Sequence, residues 1–126
     1  MKMFLYVAMG GAVGASGRYA VSVFLLYCGV GQFPWGTFLV NVAGSFSMGV
    51  VSACLVHTWS PSPEMRAFLV IGVLGGFTTF SAFSLDILSL AEKHRFDLSV
   101  LYLSGTLVLS VGGLFAGLRL MRVFLT

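Results

Sequence analysis

Charged positions punctuate this chain at wide intervals. No Asp, Glu, Lys or Arg falls between Lys2 and Arg18, between Arg18 and Glu64, between Arg66 and Asp86, or between Asp97 and Arg119. A helix that crosses a hydrocarbon core of about 30 Å needs about 20 mostly apolar residues, and four such spans fit. The first is expected over residues 3–27, ending at the turn Cys28-Gly29-Val30-Gly31. Pro34 suits the opening of a second over 35–56, which closes at the polar stretch His57-Thr58-Trp59-Ser60-Pro61. Ser62-Pro63-Glu64 combines a hydroxyl cap, a first-turn proline and an acid at the positive helix end. It predicts a third span over 63–90. The fourth is expected over 98–124, after the charged loop from Glu92 to Asp97. Nothing is left over for a second domain, so residues 1–126 read as one four-helix transmembrane unit.

Composition agrees with that pattern. Only 9% of the 126 residues are charged and 58% are hydrophobic, whereas soluble domains carry about 25% charged residues. The net charge of +3 is distributed over helix ends and short loops, as membrane flanks are. It forms no basic patch with interleaved aromatics, which argues against a nucleic-acid partner. Cys28 and Cys54 have no metal-ligand or redox spacing and read as buried, apolar-like thiols. The apolar stretch after Lys2 continues past any cleavage point near residues 12–16, which favours a span over a signal peptide.

Charge also bears on orientation. With four spans, Lys2, Arg66, Arg119 and Arg122 fall on one side, and Lys93 and Arg95 on the other. Basic bias sets topology, and this bias is weak. Two arrangements stay open: one fixed orientation with cytoplasmic termini, or an antiparallel homodimer of chains inserted both ways. Gly10/Gly14, Gly72/Gly76 and Gly113/Gly117 are small-xxx-small pairs that let helices approach closely.

The third span holds the clearest local anomaly, Gly75-Gly76-Phe77-Thr78-Thr79-Phe80-Ser81-Ala82-Phe83-Ser84. Glycine weakens helix interiors and threonine hydroxyls compete for backbone partners, so the segment reads either as a break near the bilayer midplane or as a merely kinked, glycine-packed helix. Such breaks persist where they are buried in protein or line a cavity, and they build ion sites from freed carbonyls. Phe80 and Phe83 share a helix face. They are either packing groups or rings whose positive edges meet an anion. Asn41 is an amide inside an apolar span and needs a partner, a second helix or a solute. Tyr102, Thr106 and Ser110 form a hydroxyl stripe at i, i+4 and i+8 that either solvates an ion or ties helices together. Arg18 either snorkels or lends a vestibule positive potential. Asp86 suits a pore mouth or a basic partner. No nucleophile–base set, phosphate loop or metal-like histidine neighbourhood is present, so an enzyme is not expected.

Taken in order, Gly10-Gly11-Ala12-Val13-Gly14-Ala15-Ser16-Gly17-Arg18-Tyr19, Gly36-Thr37 with Val40-Asn41, and the Gly75–Ser84 segment resemble the small fluoride channels called Fluc or CrcB. The resemblance covers nearly the whole chain. It implies an all-α membrane protein of four transmembrane helices with a break in the third, assembled as an antiparallel dual-topology homodimer with two pores. It further implies passive export of fluoride across the bacterial inner membrane. By motif, Asn41 becomes the pore amide, Phe80 and Phe83 the rings that meet the anion, and Ser81 an available hydroxyl. Tyr102, Thr106 and Ser110 become the polar track. The carbonyls of Gly75 and Thr78 would hold a structural sodium ion at the dimer interface. The family's usual Thr is Ala82 here, which removes a side-chain hydroxyl from that position. Two other classes of small four-helix membrane protein fit less well. A dual-topology exporter of small cations wants a carboxylate in the first helix, where this chain has only a cation. A non-transporting assembly subunit leaves the polar, glycine-rich third span without a purpose.

Overall fold

A computed structural model of the chain describes residues 1–125. Four long helical segments account for nearly all of it, and no strand occurs among the described residues. Helix α1 spans Lys2–Tyr27 and α2 spans Trp35–His57. The third segment is composite: α3 (Pro63–Arg66), a π-helical stretch (Ala67–Leu74), α4 (Gly75–Phe77) and α5 (Phe80–Glu92). Helix α6 spans Phe96–Leu125. The second, third and fourth segments are each long and apolar enough to cross a bilayer. Helix α1 matches them in length at 26 residues, while its glycines, serines and Arg18 make it less apolar. The chain is a multi-pass helical membrane protein.

The ends form as local chemistry requires. Gly29 and Gly31 adopt φ of 64° and 82°, and this left-handed backbone turns the chain from α1 into α2. The Ser62 hydroxyl accepts from the Met65 N–H at 3.2 Å, capping α3. Helix α5 ends in a Schellman turn. The N–H of Arg95 donates to Leu90 O (2.9 Å) and that of His94 to Ala91 O (3.0 Å). His94 occupies the left-handed position at φ 57°, where glycine is usual. Arg95 then reaches the first loop, its Nη1 donating to Gln32 Oε1 at 2.6 Å. Cys28, expected to be buried, is exposed because it lies just beyond the last turn of α1, and Cys54 is half-buried.

Packing rests on close backbone approach. Helix α1 lies along the π-helical stretch and α4, and α2 lies along α6. A Cβ on Gly14 would run into the carbonyl of Val73, one on Gly72 into Gly10 Cα, and one on Gly76 into Gly11 O. In the second pair, a Cβ on Gly49 would strike Leu114 O and one on Gly117 Phe46 O. Two of the glycine pairs expected from sequence therefore make tight seams between helices. In the third, only Gly117 is tight, and Gly113 keeps ordinary contact distances. Phe38 packs beside Gly105, Phe46 beside Gly113 and Gly117, so α2 and α6 run in the same direction.

Candidate functional site

The break in the third segment falls on the threonines rather than the glycines. Gly75 and Gly76 remain helical, while Thr78 (φ −82°, ψ 157°) and Thr79 (φ −153°, ψ 121°) are extended. The threonine hydroxyls stabilise the interruption from both sides. Thr78 Oγ1 donates to Leu74 O (3.0 Å), and Thr79 Oγ1 accepts from the Ala82 N–H (3.2 Å), capping α5. Ahead of the break, the Ala67–Leu74 stretch is π-helical, a widened turn that recurs at functional sites.

Helix α2 holds the break in place. A Cβ on Gly44 would overlap the Thr78 methyl group, so the absence of a side chain lets the two backbones meet. One turn earlier, the Asn41 amide pairs with both backbone groups of Thr79. Its Nδ2 donates to Thr79 O (2.9 Å) and its Oδ1 accepts from Thr79 N–H (2.8 Å). Of the two partners the sequence left open, the structure supplies a helix. One N–H of the Asn41 amide is left over. The pairing also diverts the Thr79 N–H from Gly75 O, the carbonyl it would bond in a continuous helix.

Beside the break lies a cavity of about 350 Å³. Its lining includes Asn41, Gly75, Thr78, Phe80, Phe83, Thr106 and Ser110, so most of the residues singled out from sequence converge there from three segments. Phe83 is buried and Phe80 is 74% exposed, their ring centroids 5.6 Å apart. The hydroxyls of Thr106 and Ser110 are buried and have no hydrogen-bond partner among the described residues. An unmatched polar group in a dry setting is costly, roughly 1–3 kcal/mol each, so these two hydroxyls are unused hydrogen-bond donors within the fold.

Three predicted residues lie outside this lining. Ser81 is exposed, its Oγ 3.3 Å from Thr79 Oγ1. Arg18 is half-buried on α1, and its carbonyl accepts from Ser22 Oγ at 3.1 Å. Tyr102 is fully buried between aromatic neighbours, its ring 5.2 Å from Phe83 and 5.4 Å from Phe33. Its hydroxyl donates to Asp86 Oδ2 at 3.0 Å. Asp86 thus has a phenol as partner. It lines a second cavity of about 250 Å³ with Thr37, Ser22 and the first loop. Sequence reasoning missed Ser45, which also lines the first cavity, although its place one helical turn after Asn41 was a usable signal. It likewise missed the clamping role of Thr79.

A cavity with amide and hydroxyl residues in a mostly apolar wall, set beside a broken helix among apolar helices, is the kind of site that handles a small solute in a membrane protein. Comparison with known proteins is more specific. The family described as CrcB-like protein, Camphor Resistance (CrcB), matches residues 5–118. The fluoride-specific ion channel FluC of Rhodospirillum centenum is 52% identical over 122 residues, covering 97% of each chain. FluC of Rhizobium meliloti is 47% identical over 122 residues, covering 97% of this chain and 98% of its own. FluC of Agrobacterium fabrum is 49% identical over 116 residues, covering 92% and 93%. The chain belongs to the CrcB family. These relatives are ion channels by name, and membership places the chain outside the enzymes.

Proposed function

We propose that this protein is a fluoride-selective channel that lets fluoride leave the cell passively across the bacterial inner membrane. The observation that carries the reading is the pair of buried, unpartnered hydroxyls of Thr106 and Ser110, residues that line a cavity together with Phe80 and Phe83. A hydroxyl donates a hydrogen bond to an anion, and the rim of a phenyl ring is positive. The spare N–H of Asn41 adds a third kind of donor. None of these groups carries full charge, so the anion is held without being trapped, as conduction requires. The kinship with fluoride-specific channels supplies the identity of the ion.

The finer parts of the reading rest on the same site. Tyr102 extends the hydroxyl track towards the second cavity, Ser81 offers a hydroxyl at the break, and Arg18 lends a vestibule positive potential. The working unit is an antiparallel homodimer with two pores. Two features support it: the weak charge bias and the exposure of Phe80 and Gly75 on the open side of the break, a side a second copy would cover. A sodium ion suits the same face, because freed backbone carbonyls in an unwound segment are sodium ligands. Gly75 O, released by the Asn41–Thr79 pairing, and Thr78 O would hold it. The ion would neutralise carbonyl dipoles there and fix the interface.

The test is fluoride efflux from liposomes containing the purified protein, read with a fluoride electrode, with chloride followed in parallel and sodium present. Fast fluoride release with little chloride release is expected. No fluoride release from a well-folded dimer would overturn the reading and bring forward an exporter or an assembly subunit.

A further inference from the structure

Besides Thr106 and Ser110 on α6 and the two threonines of the break, the first cavity has one further hydroxyl residue, Ser45. Ser45 lines it from α2, four residues after Asn41, so the two side chains share a face about 6 Å apart along the axis. Ser45 Oγ makes no hydrogen bond among the described residues. A helical serine can satisfy its hydroxyl on the carbonyl one turn back, as Ser22, Ser84 and Ser104 do here. Ser45 does not, and its donor is left for whatever occupies the cavity.

The parallel run of α2 and α6 gives Ser45 a definite place in the row. Val42 and Phe46 flank Gly113, and Phe38 lies by Gly105, so position 45 stands near the level of Gly113. That is about one turn beyond Ser110 and two beyond Thr106. At that level α6 presents no hydroxyl towards the cavity, because Gly113 and Leu114 follow Ser110 and Val111. We propose that Ser45 is the next anion-contacting hydroxyl after Ser110, taking over from α6 on the opposite wall and carrying the donor row past the helix break. The inference rests on the fluoride-channel reading. It adds a residue that the hydroxyl stripe on α6 does not contain.

Full-length protein carrying Ser45→Ala, Ser45→Thr or Ser45→Val is reconstituted beside the unaltered protein and Phe83→Ile, and fluoride release is timed. Dimer content and thermal unfolding are measured on the same preparations. Loss of a hydrogen bond to a charged ligand is expected to slow Ser45→Ala about tenfold. Threonine and valine have the same shape, so Ser45→Thr is expected to release fluoride faster than Ser45→Val with equal stability. Release from Ser45→Ala at the unaltered rate, with Phe83→Ile impaired, would overturn the role of Ser45 and leave the channel reading intact. Equal rates for the threonine and valine variants would overturn it as well. No fluoride release from the unaltered protein would remove the channel reading, and this inference with it.

Discussion

The side-chain amide of Asn41 satisfies both the N–H and the C=O of Thr79, at 2.8 and 2.9 Å. A broken helix at membrane depth has backbone groups with no water to bond them, and here one side chain from α2 takes up two of them at once. Asn41→Ala would leave both unpaired, at about 1–3 kcal/mol each. Asn41→Asp would keep the acceptor and lose the donor facing Thr79 O. Both variants are expected to lower the unfolding temperature in detergent, with Ala the more severe, and both should lose fluoride flux. Unchanged stability in Asn41→Ala would show that Thr79 finds other partners.

Thr106 and Ser110 should behave in the opposite way. Their buried hydroxyls bond nothing among the described residues, so Thr106→Val and Ser110→Ala remove a cost of about 1–3 kcal/mol each from the folded state. These variants are expected to unfold at equal or higher temperature than the parent while conducting less fluoride. Differential scanning fluorimetry and liposome efflux on one preparation would check both halves. A fall in stability would mean the hydroxyls hold the helices together.

Phe83 and Phe80 differ in burial, at 3% and 74% exposed, and their replacements should differ accordingly. Phe83→Ile removes a ring packed on Tyr102 and is expected to cost about 1–3 kcal/mol as well as flux. Phe80→Ile should leave stability nearly unchanged and still sharply lower fluoride release. Full conduction in both single variants would remove the ring-edge mechanism.

The glycine seams give a contrast within one helix. Gly117→Ala places a methyl group against Phe46 O, whereas the same change at Gly112 meets nothing within 4 Å. Folded yield after extraction is expected to collapse for Gly117→Ala. Gly112→Ala should hold or gain up to about 1 kcal/mol from helix propensity.

His94 sits in the left-handed position of the turn after α5. A Cβ there costs roughly 1–2 kcal/mol that glycine avoids, so His94→Gly is expected to raise the unfolding temperature and leave efflux unchanged. Thermal unfolding of the purified variant would measure it.

Much of this architecture is written along the chain in one dimension. The long charge-free intervals set the four segments, and every expected boundary lies within two residues of the observed one. Bilayer thickness and backbone self-satisfaction leave few alternatives to a helix of that length. The run Gly75-Gly76-Phe77-Thr78-Thr79 marked where the third segment fails, since glycine and threonine both weaken helix interiors. Which residues actually leave the helix was settled by contacts distant in sequence. Gly76 stays helical with α1 against it, and Thr78 and Thr79 become extended where Gly44 admits them and Asn41 pairs with them. The π-helical stretch and the Tyr102–Asp86 bond have no periodic signature. Each depends on the distance and register between helices, and those follow from side-chain-free seams at Gly14, Gly49 and Gly117 that a linear pattern identifies as close contacts without naming the partner.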